Sequence, residues 1–512
     1  MIPLPRKYGP FCISGFLLIP VLLFSAPANS AIIYVDGTVG PCGDGVEWDT
    51  AYRYLQDALL DADSGDEIWV ARGTYYVDRD CGNPLGVCND PRDLTEREAT
   101  FQLKDDVDLY GGFLGTETAR SQRDPAANLT ILSGILGECP SSRDPDCPGT
   151  GDCFDPDGNG TPGCKNSRCC QIVCNMDPIC CLGIGSWDEL CAATARDLCG
   201  EAYHVVRADG DITSETVIDG FTIRDGVANG DLDDDDFGGG MIVYGEPNIV
   251  RCTFTYNMAE NKGGGMYISG VSQSPELINC IFQDNPGAMS FLETPDGGAL
   301  ANFNAAPNLV NCLFSKNIVW NNGGAIHNET GVCLAGGCGE MTIVNCTFAD
   351  NQADSDDNMF GTGGAIYIGG TVASIDADSC IFWGNTPDQI DNPAGGPTSV
   401  QYSDVQGGFG TFADMNLNVD PLFVNPPLCD YHLKRLSPVI DKGNPDISVI
   451  PCDEFDLDND GILCGGGAFF LGEPTPDLDL RNRVLNGDST PGAIVDMGSY
   501  ERGPAVVPIG VK

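Results

Sequence analysis

The chain has 512 residues, 74 of them acidic and 26 basic, for a formal net charge of −48 at pH 7. Such an excess repels phosphate backbones and anionic membrane surfaces, which excludes nucleic acid as a partner class. Apolar residues make up 42%, too many for a disordered chain, while 66 glycines and 34 prolines demand frequent turns.

Residues 1–30 read as a secretory signal peptide. Arg6 and Lys7 supply the positive start, Phe11 to Phe24 the apolar core, and Ala28-Asn29-Ser30 a small-residue cleavage site. Pro10 and Pro20 interrupt the apolar run, which is short of the roughly 20 residues of a membrane span. No later run is as long, so the mature chain is expected outside the cell, with no membrane span. Cleavage leaves 24 of the 25 cysteines, a number that implies extensive disulfides in an exported chain.

Residues 31–138 predict strands around one amphipathic helix. Ile32-Ile33-Tyr34-Val35 reads as a strand. From Trp48 to Ala62 the spacing of Tyr52, Leu55, Leu59 and Ala62 predicts a helix that would cap one end of the fold. The stretches 66–75, 101–112 and 129–133 read as further strands. Residues 139–200 hold eleven cysteines, including the doublets Cys169-Cys170 and Cys180-Cys181, and predict an inserted, disulfide-stapled module. A zinc site would favour Cys-x-x-Cys pairs with histidine, and the segment has neither.

Residues 201–400 contain a repeat. Cys-x-Phe-x-x-Asn occurs at Cys252/Phe254/Asn257, Cys280/Phe282/Asn285, Cys312/Phe314/Asn317, Cys346/Phe348/Asn351 and Cys380/Phe382/Asn385. Between the copies lie glycine pairs or triplets, as in Gly263-Gly264-Gly265-Met266 and Gly323-Gly324-Ala325-Ile326. Residues two apart on a strand share a face, so Val310, Cys312 and Phe314 are expected to point inward. Arg251, Asn279, Asn311 and Asn345 are expected to face out, with Asn311 tolerant of substitution. Stacking the units would align columns of Phe, Cys and Asn, the amides bonding along the axis. Parallel side-chain vectors argue that the five repeat cysteines remain free thiols, whereas Cys333 and Cys338 are expected to bridge locally. A period near 30 residues without helical patterning predicts an all-β, right-handed parallel β-helix, a solenoid, with an N-terminal capping helix and the cysteine-rich insertion.

These Gly-Gly-Ala-Ile and Phe-x-x-Asn elements resemble the repeats of chlamydial polymorphic outer-membrane proteins and of secreted bacterial β-helices of the pectate-lyase-like superfamily. The likeness covers about 238–385 and implies architecture only, since that fold carries lyases, hydrolases, adhesins and inert scaffolds. The run Asp420-Pro421-Leu422-Phe423-Val424, then Tyr431-His432-Leu433, then Ser437 to Gly443, then Asp496 to Glu501 is similar to the closing segment of such proteins. Residues 401–512 are therefore expected to finish the solenoid.

No catalytic set emerges from the sequence. Arg251, Lys262 and Lys316 are each alone among the repeats, and His204, His327 and His432 are solitary. Asp456, Asp458 and Asp460 have the D-x-D-x-D-G spacing of a calcium loop, but Gly467 stands where the bidentate Glu would be. A structural calcium site and a solvated acidic turn are both compatible with that spacing. The acidic stretches 155–160 and 231–236 pose the same choice. The expectation is a secreted or cell-surface scaffold for adhesion, binding an extracellular glycan or a surface protein. A carbohydrate-active enzyme and a purely structural envelope protein are the alternatives.

Overall fold

The computed structural model describes residues 30–40, 42–83, 97–136, 201–230, 234–271, 273–287, 295–331, 339–355, 361–445 and 496–500. The expected signal peptide up to residue 29, the expected cysteine-rich insertion, Cys333, Cys338 and the Asp456/Asp458/Asp460 run lie outside them.

Short strands follow one another around a ring, and each pairs in parallel with the strand one turn later. Among the described residues three large sheets result, of ten, nine and eight strands, beside two two-stranded ones. Each is extended by one strand per coil, as in Asn248–Val250 onto Glu276–Ile278 and Thr253–Thr255 onto Ile281–Gln283. The third sheet continues in the same way, Met266–Ser269 onto Leu300–Phe303. The architecture is an all-β parallel β-helix. Parallel neighbours satisfy each other's backbone groups, so a strand of three or four residues is stable only because the next coil lies on it.

The columns form as the repeat predicts. Phe254, Phe282, Phe314, Phe348 and Phe382 stack with ring centroids 4.6–4.9 Å apart and interplanar angles of 4–6°. The Asn285 amide donates to Asn317 Oδ1 at 2.9 Å and to Phe254 O at 2.9 Å. Asn317 and Asn351 repeat this one coil on. The amide ladder ends where Asn385 Nδ2 donates to Gln389 Oε1 at 2.7 Å. Cys252, Cys280, Cys312, Cys346 and Cys380 are buried free thiols, each donating to a carbonyl of the preceding coil, such as Cys280 Sγ to Ile249 O at 3.3 Å. Burial pushes the Cys252 thiol up to about 12. Among the described residues one disulfide forms, Cys42–Cys81.

The expected facing is wrong at one corner. Arg251, Asn279, Asn311, Asn345 and Ser379 have φ between 47° and 56°, so the chain turns sharply between the first and second sheets. The bend breaks the period-two count. Ile249, Leu277, Leu309 and Ile343 line the interior with the Cys and Phe columns, whereas Val250, Ile278 and Val310 join a separate cluster outside the first sheet. Asn279, Asn311 and Asn345 do not face solvent, being 3%, 0% and 0% exposed. Asparagine suits the left-handed region better than other residues bearing a Cβ. The glycine motif makes another left-handed corner. Gly323 has φ 72°, and a Cβ on Gly324 would lie 2.3 Å from Gly364 O of the next coil.

The capping helix is shorter than expected. It spans Leu55–Asp61, with Leu55, Ala58 and Leu59 buried against the first coil. Tyr52 is drawn into backbone pairing with Val35 instead, and Trp48–Thr50 form a separate 3-10 turn.

At the far end, Phe423–Asn425 pairs antiparallel with Asp430–Leu433. These strands, with Val439, Ile440 and Met497, cover Leu313, Ala349 and Ile381 on the outside of the second sheet. Tyr431 Oη donates to Asp350 at 3.0 Å, and Ser499 N donates to Thr347 at 3.0 Å. Asp404, in the last coil, is fully buried. Its Oδ1 accepts from Val419 N at 3.0 Å, and its Oδ2 has no hydrogen-bond partner among the described residues. Burial, and then the Asp420 charge, raise its carboxyl to about 7 against one stabilising N–H.

This packing makes three outcomes testable. Phe314→Ala should cost roughly 3–5 kcal/mol in urea unfolding by opening a cavity in the ring column. Asn311→Ala should cost about 1–2 kcal/mol from the left-handed backbone, and Asn311→Gly clearly less; equal losses for both would refute the corner argument. The raised folded value of Asp404 means that its neutral form is the favoured one. Its destabilising effect is absent near pH 4, grows as pH rises toward 7, and has an upper bound of about 4 kcal/mol. Asp404→Asn should therefore raise Tm at pH 8 and leave it almost unchanged at pH 4.

Candidate functional site

A packed solenoid has little interior space, so binding chemistry must sit on the outward positions of a sheet or in loops. The first sheet is partly covered outside. Trp69 stacks on Phe113 with centroids 4.7 Å apart, and Tyr34 meets Trp48 at 4.7 Å. Beside them Asp219 is gripped by Arg123 and by Arg251, whose Nη2 lies 2.6 Å from Oδ2. Burial raises the Asp219 carboxyl, but the two guanidiniums outweigh it and hold it below the usual range. Arg251 is thus an internal strut. The second sheet is covered by the closing segment, where Lys316 Nζ reaches Pro427 O and Cys429 Sγ, both at 3.1 Å.

The third sheet differs. In the outward column Arg207, Ile242, Tyr267, Ala301, His327 and Tyr367 follow one another on successive coils. Two residues further along their strands come Phe303 and Glu329. Just before the glycine corners, Phe237, Lys262 and Asp296 form a third column through parallel bridges.

These columns bring together four charged or titratable groups, Lys262, Asp296, His327 and Glu329, that span 67 residues of sequence. Lys262 Nζ lies 2.7 Å from Glu329 Oε2 and 3.4 Å from Asp296 Oδ2. His327 Nδ1 lies 3.0 Å from Asp296 Oδ2, off the line of an ideal hydrogen bond, and His327 Nε2 lies 3.7 Å from Glu329. Asp296 Oδ1 accepts from Asn321 Nδ2 at 2.8 Å and from Asn322 N at 3.0 Å. Burial raises the Asp296 carboxyl, but His327 and then Lys262 outweigh it, and the net direction is down. His327 is 4% exposed and meets the Tyr367 ring edge-on at 5.0 Å. Lys262 and His327 each bridge the same two carboxylates.

Aromatic rings flank this cluster. Phe237 stacks on Tyr267 at 4.7 Å, with Tyr244 and Phe303 packed beside them. At the other end of the stripe Arg207 binds Asp209 at 2.7 Å and Asp234 at 3.1 Å, and Tyr244 Oη donates to Asp234 at 3.0 Å.

Two expectations are corrected here. Lys262 is not alone, and His327 is no isolated surface residue. Aligning the five repeats on their glycine pairs, rather than on Cys-x-Phe, would have set Lys262 beside Asp296 and His327 beside Tyr367. Of the other histidines, His204 is buried with Nδ1 3.1 Å from Gly238 O, and burial lowers it to about 4. His432 pairs with Asp430 at 2.6 Å and stacks on Tyr500. No group of three or more His, Cys, Asp or Glu among the described residues is arranged to hold a metal ion.

With this geometry in place, the chain can be set against known proteins. Residues 210–405 match a family model described as a right handed beta helix region. The winding is right-handed. Among solved structures, the crystal structure of pectate lyase Pel9A is 9% identical, covering 93% of this chain and 97% of its own, with a TM-score of 0.33. Pectin methylesterase PemA from Erwinia chrysanthemi is 11% identical, covering 77% of this chain and 82% of its own, with a TM-score of 0.31. Neither likeness is close enough to bear on chemistry. No curated protein matches the sequence significantly. No described helix of this right-handed β-helix is long and apolar enough to cross a membrane.

The ion network generates a stability prediction. Asp296→Ala leaves Lys262 and the His327 ring, both largely desolvated, with one partly exposed carboxylate, and should cost about 2–5 kcal/mol. Because the folded Asp296 value is depressed, its contribution is present above the ordinary carboxylate range and lost as pH falls through the folded value. Asp296→Asn should therefore flatten the acid limb of the stability–pH curve; an unchanged limb would count against the network.

Proposed function

We propose that the protein is a secreted or cell-surface β-helix scaffold that binds an extracellular glycan or surface protein on the outward face of its third sheet. The observation that carries this reading is the stripe itself, with rings from Phe237 to Tyr367 and an ion network among them. Ordinary solenoid faces need only ladders that stack. A buried lysine–histidine–dicarboxylate network costs desolvation and adds little net stability, whereas such groups fix orientation and specificity when a partner arrives. The signal peptide supports export. The Asp456/Asp458/Asp460 loop is proposed as a structural calcium site remote in sequence from the stripe.

One observation favours a second reading, a carbohydrate-active enzyme. His327 stands between Asp296 and Glu329, and a histidine paired with a carboxylate can carry a proton to or from substrate. Against turnover stands the closure of the network, in which both carboxylates already lie against Lys262 and His327.

The test is to incubate the purified mature chain with polysaccharides and with surface-protein extracts, in calcium and then in EDTA. Saturable binding without new reducing ends or unsaturated products is the expected result. Tyr367→Ala and Glu329→Gln should each weaken it by about tenfold or more, a loss of at least roughly 1.4 kcal/mol. Product formation abolished by His327→Ala would establish the enzyme instead. Absence of both binding and turnover would leave a purely structural envelope role.

A further inference from the structure

From the charge pattern of the stripe we infer that its ligand is an uncharged linear glycan lying along the solenoid axis, an inference that rests on the binding role proposed above.

Direction comes from the columns. Outward side chains from Arg207 to Tyr367 occupy six consecutive coils. At about 4.8 Å per coil they extend for about 24 Å. Partly exposed rings lie on every second of these coils, Phe237 and Tyr244, then Phe303, then Tyr367, whereas Tyr267 is buried against Phe237. Rings placed at intervals along one line suit an extended polymer whose units present apolar ring faces in turn, more than a compact ligand in one pocket.

The charges decide the class. A carboxylated or sulfated glycan needs cations with spare valence, as in bidentate or clustered Arg and Lys sites. This stripe offers two permanent cations, and each is already held by two carboxylates: Arg207 by Asp209 and Asp234, Lys262 by Asp296 and Glu329. An anionic sugar would have to displace one of these acids inside a chain with 74 acidic and 26 basic residues, against a repulsive field. A polyamine sugar fares little better, because the same carboxylates are already engaged by Lys262, His327 and Arg207. What remains available are neutral hydrogen-bonding atoms and ring faces. Hydroxyl groups can use these without breaking an ion pair.

The experiment measures affinity of the full mature chain for three soluble polymers by affinity electrophoresis and calorimetry, at low and high salt. The probes are a neutral β-glucan, polygalacturonate with calcium present or absent, and a de-N-acetylated chitosan oligomer. The expected result is binding of the glucan at least tenfold tighter than either charged probe, and insensitive to salt. Phe303→Ala and Tyr367→Ala should each weaken it, while Tyr367→Phe retains it and shows that the face remains folded. Tightest binding of polygalacturonate or chitosan overturns the inference but leaves the glycan-binding role intact. Glucan binding indifferent to both alanine variants also overturns it, by placing the ligand elsewhere. If no glycan binds, the inference falls, and the broader role is then decided by the surface-protein arm of the preceding experiment.

Discussion

Everything in this protein depends on parallel backbone pairing between one coil and the next. No strand of three or four residues can bury its own apolar side, and no coil contains a separate core. Pairing in register forces like onto like, so the same residue type must succeed at each column. That constraint explains why phenylalanine, cysteine and asparagine recur with almost no variation inside. It also explains why the outward columns, free of the constraint, are where residues differ from coil to coil.

The corners convert this one-dimensional stack into a three-sided tube. Left-handed residues such as Asn311, with φ 54°, turn the chain between the first and second sheets. A further left-handed residue, such as Lys316, follows the second sheet, and the first glycine of each pair leads into the third. The bends fix which side chains look inward more strongly than alternation does. Both open faces of the first two sheets receive covers, an aromatic and arginine layer near the start and the antiparallel closing strands near the end. The third sheet thereby becomes the face on which chemistry can vary.

Much of the interior was legible in the sequence because identical residues return at intervals of 28 to 34. The Phe254–Phe382 rings and the Asn257–Asn385 amides stack as spacing alone requires. Asn311 was not legible in the same way, since counting by twos assumes a straight strand and the chain bends at that residue. Val310 was misassigned for the same reason, falling outside while Leu309 falls inside. The site was harder still. Lys262 and Glu329 are 67 positions apart and meet across two coils, and loops of unequal length between them conceal the common register. A lone histidine carries no message until its neighbours in space are known.

The buried thiols bear on how such a chain could mature where oxidants are present. A thiol attacks a disulfide only as its thiolate, and Cys252, held near 12 by burial, is essentially never ionised at neutral pH. Once wound, Cys252 is chemically silent toward bridges such as Cys42–Cys81, and the other four column thiols are shut away from them by burial. Before winding, the same five sulfurs are ordinary competitors for oxidation. Rapid coil closure is therefore a safeguard against mispairing, and the core protects the staples that lie outside it.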